Sequence, residues 1–465
     1  MEATIQKTGS FKRTRMYISV FMGLFLAIAE GALSGWPSPA IYALSKANNT
    51  LGRALSENEE DLLASITTPG SVVGALLAVA LSQKFGRKPI LSIQGIPPLI
   101  FFLTMAFGKS LLLFDISRFI SGMSIGGMYT ILPLYICEIV EPEHRGKCCA
   151  GFGISMNIGI LLCYVLGYNL SFFWFHLVLS LIPITFLILF PLLALESPYY
   201  ILRTNPVEAE KFLREVRASE NVSEELKRMK ECVEETEQNT SINIFETKAM
   251  RKAIVLSLGM MTFIVFSGIL VFQNYSGEIF EDADFSWSTQ TELIIVAVMQ
   301  LVISGFAIPL VERFKRKPLL CTSFAGCGIS LIPLGTYFFM KDNGLNVTGY
   351  GWVPLVSLVG YVVSVNIAVG PLGKSVLGEF IPLKIKSITT AISTIYCSLG
   401  LFFTSLYFND ATKAIGRGVC FWIFAAAAIC GSIFIRTCMV ETKGKTLEEI
   451  QDEMNGIKKN NFRCK

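Results

Sequence analysis

The chain is 465 residues long, 52% hydrophobic and only 16% charged, with a formal charge of +4. Soluble proteins carry about 25% charged residues, so a soluble enzyme of this size is excluded. The length is instead taken up by apolar segments, each long enough to cross about 30 Å of hydrocarbon.

Residues 1–15 are polar and basic and predict a cytosolic tail, and the apolar run from Met16 is long enough to span rather than to serve as a cleavable signal. Six predicted spans follow, Met16–Ser45, Leu62–Ser82, Ile90–Gly108, Leu111–Cys137, Cys148–Asn169 and Ser171–Leu193, forming a first bundle over 16–200. Residues 201–249 predict a cytosolic linker. Within it Val207–Arg217 and Ser223–Glu237 place sparse apolar residues among charges at the spacing of surface helices. Six more spans, Met250–Phe280, Thr289–Val311, Leu319–Met340, Gly351–Phe380, Ser387–Asn409 and Gly418–Val440, form a second bundle over 250–440, followed by a cytosolic tail over 441–465. The expected fold is all-α with twelve transmembrane helices, because backbone amides in lipid must be satisfied within their own segment.

Basic clusters at Lys12-Arg13-Arg15, Lys84-Arg87-Lys88, Arg145-Lys147, Arg313-Lys315-Arg316-Lys317 and Lys384-Lys386 all fall on one side of this arrangement. By the positive-inside rule that side is cytosolic and holds both termini. Sequons at Asn48, Asn169 and Asn346 fall in the opposite loops and are candidate glycosylation sites, although Asn221 and Asn239 carry the same pattern inside. The cysteines are scattered without ligand spacing and read as small buried hydrophobes.

The two halves echo one another. Glu138 precedes Arg145 by seven residues, as Glu379 precedes Lys386; Gly86-Arg87-Lys88 after the second span is echoed by Lys315-Arg316-Lys317 after the eighth, and Glu196-Ser197 by Glu441-Thr442. A duplicated six-helix unit that rocks about a midplane site is a common transporter plan. Charges at helix ends of both halves can pair across the seam and hold an inner gate, so Arg87, Lys88, Glu138, Arg145, Glu196, Glu312, Arg316, Glu379, Lys386 and Glu441 are candidate gating residues. Exposed pairs contribute only about 0–1 kcal/mol each, so a network is needed.

Several ordered motifs resemble the sugar-porter branch of the major facilitator superfamily, and more narrowly the insect facilitated trehalose transporters. They are Gly31-x-x-x-Gly35-Trp36-x-Ser38-Pro39, Gly86-Arg87-Lys88, Arg118-x-x-x-Gly122-x-x-x-Gly126-Gly127, Pro133-x-Tyr135-x-x-Glu138, Arg145-Gly146, Asn157-Ile158-Gly159-Ile160-Leu161, Glu196-Ser197-Pro198, Glu312-Arg313, Gly370-Pro371 with Glu379, and Glu441-Thr442-Lys443-Gly444-Lys445-Thr446. The resemblance implies a two-bundle carrier working by alternating access.

The chain departs from the family in its loops, with Gln83 for an acid, Lys315 for a glycine and Tyr199 for an arginine. It also departs in the residues that resemblance assigns to sugar. Gly153, Ile264, Val265, Leu270, Lys374, Cys397 and Ser398 stand where the family has glutamine, asparagine or tryptophan, while Gln300 is kept. Sugar hydroxyls leaving water must regain hydrogen bonds, at roughly 1–3 kcal/mol each. Asn157 lies one turn after Gly153 and Asn274 one turn after Leu270, which makes them, with Gln300 and Lys374, the candidate substrate-binding set.

Glu30, Arg118 and Lys374 are charges within spans, where partners are expected; Glu30 is expected to pair with Lys374 or with Arg118. Pro37 occupies the place where proton-coupled sugar porters carry an aspartate, which argues for a uniporter, with Glu30 keeping symport open. His144 reads as a cytosolic-end residue and His176 as an ordinary position near the outer end of the sixth span. No cofactor, metal or nucleic-acid motif is visible. The reading is a plasma-membrane carrier, monomeric as a functional unit, for a sugar such as trehalose, a hexose or a related polyol, with a non-transporting sensor as the rival.

Overall fold

The structure, a computed structural model, describes residues 2–46, 50–217, 222–223, 226–227, 229–230, 247–282, 287–347, 349–376, 380–381, 383–443, 445 and 447–455. Every regular element among the described residues is helical. Among the described residues, twelve stretches are long and apolar enough to cross a membrane. The chain divides into two compact units, Met1–Thr240 and Ser241–Lys465.

In the first unit, α1 (Glu2–Gly35) begins well before Met16, so the expected tail is helical. No proline interrupts residues 2–35, and nothing else stops a helix that hydrocarbon already favours. Pro37 does stop it: α1 breaks at Trp36, and α2 (Pro37–Leu44) continues beyond. The second span is α3 (Glu57–Ser65) plus α4 (Thr67–Phe85), opened by a capping box in which Ser56 and Glu59 satisfy each other's backbone. The third is α5 (Arg87–Ile93) plus α6 (Ile96–Phe107), interrupted just before the Pro97-Pro98 pair. Then come α7 (Leu111–Ile139), α8 (Pro142–Asn169), α9 (Phe172–Leu193), α10 (Pro198–Thr204) and α11 (Pro206–Arg217).

Small residues let α4 and α7 touch through their backbones. A Cβ on Gly74 would lie 1.9 Å from the Met123 carbonyl, and one on Gly126 would lie 1.8 Å from that of Ser71. Large apolar side chains such as Leu112, Leu192 and Ile329 are exposed, a surface suited to lipid rather than water. In the linker, Ala209 and Leu213 of α11 pack with Leu202, Val222, Leu226 and Met229, which fits the expected surface helix over 207–217. The later part of the expected second helix, 231–237, lies outside the described residues.

The second unit runs α12 (Lys248–Val265), α13 (Ile269–Glu281), α14 (Thr289–Arg313), α15 (Arg316–Asp342), α16 (Trp352–Ser364), a π-helix (Val365–Val369), α17 (Gly370–Ser375), α18 (Leu383–Leu406), α19 (Phe408–Ile415), α20 (Arg417–Cys438) and α21 (Leu447–Asn455). Gly268, at φ +81°, separates α12 from α13, a backbone conformation that favours glycine. Tyr361 Oη donates to the Ser267 carbonyl at this break. The C-terminal tail is helical where it docks: the Asn455 side chain accepts from Ala249 N at 2.9 Å, and Lys252 Nζ donates to the Met454 carbonyl at 2.7 Å.

Candidate functional site: paired helix-end charges and a buried polar seam

The expected gate residues meet at the basic end of the first unit. Arg87 opens α5 after the positive-φ turn at Gly86 and sends its guanidinium to Glu138 at the end of α7, at 3.2 Å. Its Nη1 also donates to the Ser82 carbonyl at 2.9 Å. Ser197 donates its hydroxyl to the same Glu138 carboxylate. Glu196 Oε1 accepts three backbone amides, from Arg87 at 3.0 Å, Lys88 at 3.1 Å and Ser197 at 2.8 Å. One carboxylate thus caps the helix whose first side chain grips the other.

The second unit repeats this construction. Glu441 accepts from the amides of Arg316 at 2.9 Å, Lys317 at 3.2 Å and Lys443 at 3.1 Å. Arg316 Nη1 reaches back to the carbonyl of Val311, five residues earlier, just as Arg87 reaches Ser82. The pairings described lie within each unit: the start of a helix turns two amides on one carboxylate, and a residue just after that carboxylate supplies the third. Glu379 and Asn48 lie outside the described residues, as do the side chains of Arg145, Glu312, Lys374 and Lys386.

Deeper in the first unit, two prolines leave carbonyls without their helical donors, and α7 supplies replacements. Pro37 has no N–H for the Leu33 carbonyl, and Arg118 Nη1 donates to it at 2.8 Å, with Nε donating to Leu63 O at 3.4 Å. The guanidinium lies 4.8 Å from the Trp36 ring and 5.5 Å from that of Phe101. Pro98 likewise leaves the Gln94 carbonyl, which lies 2.5 Å from Ser124 Oγ, and the same hydroxyl bonds Glu30 Oε1. The expected Glu30–Arg118 pair is thus not formed: a carbonyl takes the arginine and a serine takes the acid. Glu30 Oε2 is buried without a hydrogen-bond partner among the described residues.

His176 is no ordinary position. Trp36 Nε1 donates to its Nε2 at 2.7 Å, so Nδ1 carries the hydrogen directed at the Phe172 carbonyl, 2.6 Å away. Neither nitrogen is left for a ligand.

The candidate substrate residues divide. Asn157 is buried and no side-chain hydrogen bond holds it among the described residues, where Gln300 Oε1 is likewise buried without a partner. Asn274 Nδ2 donates to Ser405 Oγ at 3.0 Å, a packing role between α13 and α18. Gly153 has open space where a Cβ would stand. Sequence reasoning missed Thr389 and Ser393, one turn apart on α18, whose hydroxyls are buried without a hydrogen-bond partner among the described residues; their spacing of four was the available signal. It also missed Ser124. On the side away from the basic helix ends, Asn169 is exposed but its amide donates to the Val165 carbonyl at 2.7 Å, and Asn346 is exposed. There Arg53 forms a two-pronged pair with Glu59, which holds its guanidinium above the ordinary value.

Residues 17–454 match the family described as "Sugar (and other) transporter". The chain belongs to the sugar transporter family. It is 32% identical over 447 residues to a facilitated trehalose transporter of Polypedilum vanderplanki, covering 94% of this chain and 87% of that protein. It is 29% identical to one of Apis mellifera ligustica, with 96% and 90% covered. Among solved structures, it superposes on the inward-open xylose transporter XylE of E. coli with a TM-score of 0.78 at 23% identity, covering 94% of this chain and 99% of that one. That likeness shows the fold, the all-α major facilitator arrangement of twelve spans. The chain is a sugar carrier of this family.

Proposed function

We propose that this chain moves a neutral sugar of the trehalose or hexose kind by facilitated diffusion, in the plasma membrane, with both termini cytosolic and one chain as the functional unit. The observation that carries the facilitative reading is Arg118: its partners among the described residues are backbone carbonyls and aromatic faces, which do not titrate, so none of them exchanges a proton as the carrier cycles. The names of the insect relatives support the same mode and the disaccharide. The charge clusters at Arg87–Glu138 and Glu196, and at Arg316 and Glu441, are read as the stiff helix ends through which an inner gate opens and closes.

Proton coupling is the second reading, and Glu30 favours it. A single Ser124 hydrogen faces two acceptors, Glu30 and the Gln94 carbonyl, so a proton on the Glu30 carboxyl completes the chain. Uptake of labelled trehalose, hexoses and polyols into proteoliposomes, with and without an imposed pH gradient, separates the two. Facilitated diffusion equilibrates sugar without accumulation whatever the gradient. Uphill accumulation driven by protons, abolished by Glu30→Gln, would replace it with symport. A purified protein that inserts correctly and moves none of these sugars would favour the sensor.

A further inference from the structure

The end of the first unit remote from the Arg87–Glu138 cluster contains a cavity of about 420 Å³, lined by Tyr42, Lys46, Thr50, Gly167, Tyr168 and Phe172. We propose that it is a peripheral carbohydrate subsite that takes one ring of a neutral pyranoside before the sugar enters the transport path. The proposal rests on the sugar-carrier reading and adds a site to it.

The walls are aromatic and fixed. Tyr42, on the short helix beyond the Pro37 break, faces Tyr168 near the end of α8, with ring centroids 5.9 Å apart and the planes tilted by 45°. The Phe172 ring packs 4.3 Å from His176, which is itself pinned by Trp36 and by the Phe172 carbonyl. Gly167 lets helix and wall close up, since a Cβ there would stand 2.8 Å from the Pro39 side chain. Aromatic faces cover the C–H face of a pyranose, and the few polar groups at the mouth serve its hydroxyls. Lys46 brings an ammonium donor, 4.1 Å above the Tyr42 ring. Lys46 is the one charged residue among the described residues of the lining, and the rings that make up much of the wall suit the C–H face of a neutral ring. The cavity size falls within the range for small-molecule sites.

A subsite of this kind raises capture rather than turnover. The test uses the full chain in proteoliposomes carrying Thr50→Cys, an exposed position in the lining, labelled by a membrane-impermeant maleimide and read by peptide mass spectrometry. Saturating trehalose or glucose should slow labelling at least threefold, and mannitol, which has no ring, should not. Tyr168→Ala should remove the protection and raise the KM for uptake severalfold with kcat unchanged, while Tyr168→Phe, which keeps the ring, should retain both. Thr50→Trp, which fills the mouth from an exposed position, should raise KM in the same way and serves if Tyr168→Ala does not fold. Equal labelling with and without sugar, in vesicles that transport it, overturns the subsite. Protection that survives Tyr168→Ala with KM unchanged also overturns it. Protection in vesicles that transport no sugar supports the subsite and removes the carrier reading instead.

Discussion

Arg118 is a permanent charge buried between helices, and its environment explains why only arginine suits it. The planar fork donates in two directions, to Leu33 O and Leu63 O, while its faces lie against Trp36 and Phe101. A lysine is a point charge that cannot reproduce that geometry. Arg118→Lys should therefore cost about 1–3 kcal/mol, seen as a lower thermal midpoint in detergent together with reduced flux; an unchanged midpoint would show that the carbonyls find other donors. Glu138 is the matching test at the helix ends. Glu138→Gln leaves Arg87 without its counter-charge while keeping the side-chain shape. The loss of a charge-assisted hydrogen bond, about 1.5–3 kcal/mol, should appear in the same melting assay. Flux should fall, and cysteine probes should report a greater share of inward-open protein. Normal flux with unaltered accessibility on both sides would remove Glu138 from the gate.

Several departures from regular helix are mended by a side chain from a neighbour. In the π-helix Val365–Val369, Gly370 N bonds the carbonyl five residues back, and Ser323 of α15 both donates to Ser364 O at 2.5 Å and accepts from Val369 N at 3.1 Å. One hydroxyl therefore holds the wide turn that precedes Gly370-Pro371. Ser323→Ala should remove both of these hydrogen bonds, with a stability loss of about 1–3 kcal/mol and altered sugar exchange. If melting and exchange both match the parent, the turn does not depend on that serine. The spans themselves were legible from the sequence because lipid demands long apolar runs, and the repeat was legible because its charges sit at helix ends. The mends were not. Whether Glu30 meets an arginine or a serine depends on the rotation of α1, which its glycine contacts with α8, such as Gly31 against the Met156 carbonyl, help to set, and hydropathy carries no trace of that.

For the molecule as a whole, the ordered family motifs are present while most positions that the resemblance assigns to sugar carry other residues, and this sets an expectation for selectivity. Gly153 has room for a longer side chain, so Gly153→Gln combined with Lys374→Trp should raise glucose uptake severalfold over a weak parental rate, consistent with regaining hydrogen bonds of about 1 kcal/mol each and an aromatic face. High-affinity glucose transport by the parent protein would contradict this. The scaffold was readable from ordered motifs. The buried polar positions were less so, because Thr389 and Ser393 are unremarkable as letters and matter only through burial without hydrogen-bond partners among the described residues. The proline-broken carbonyl at Leu33 and the acid at Glu30 carry a further consequence, which concerns how the protein is made. The first span enters the bilayer with both groups unsatisfied, and their partners, Arg118 and Ser124, lie 85 and 94 residues later on a single span. A bare carbonyl and a lone carboxyl are costly in hydrocarbon. The nascent first helix is therefore a substrate for the insertion machinery until the fourth span arrives, and a chain released after its third span should be recognised and degraded where one released after its fourth persists.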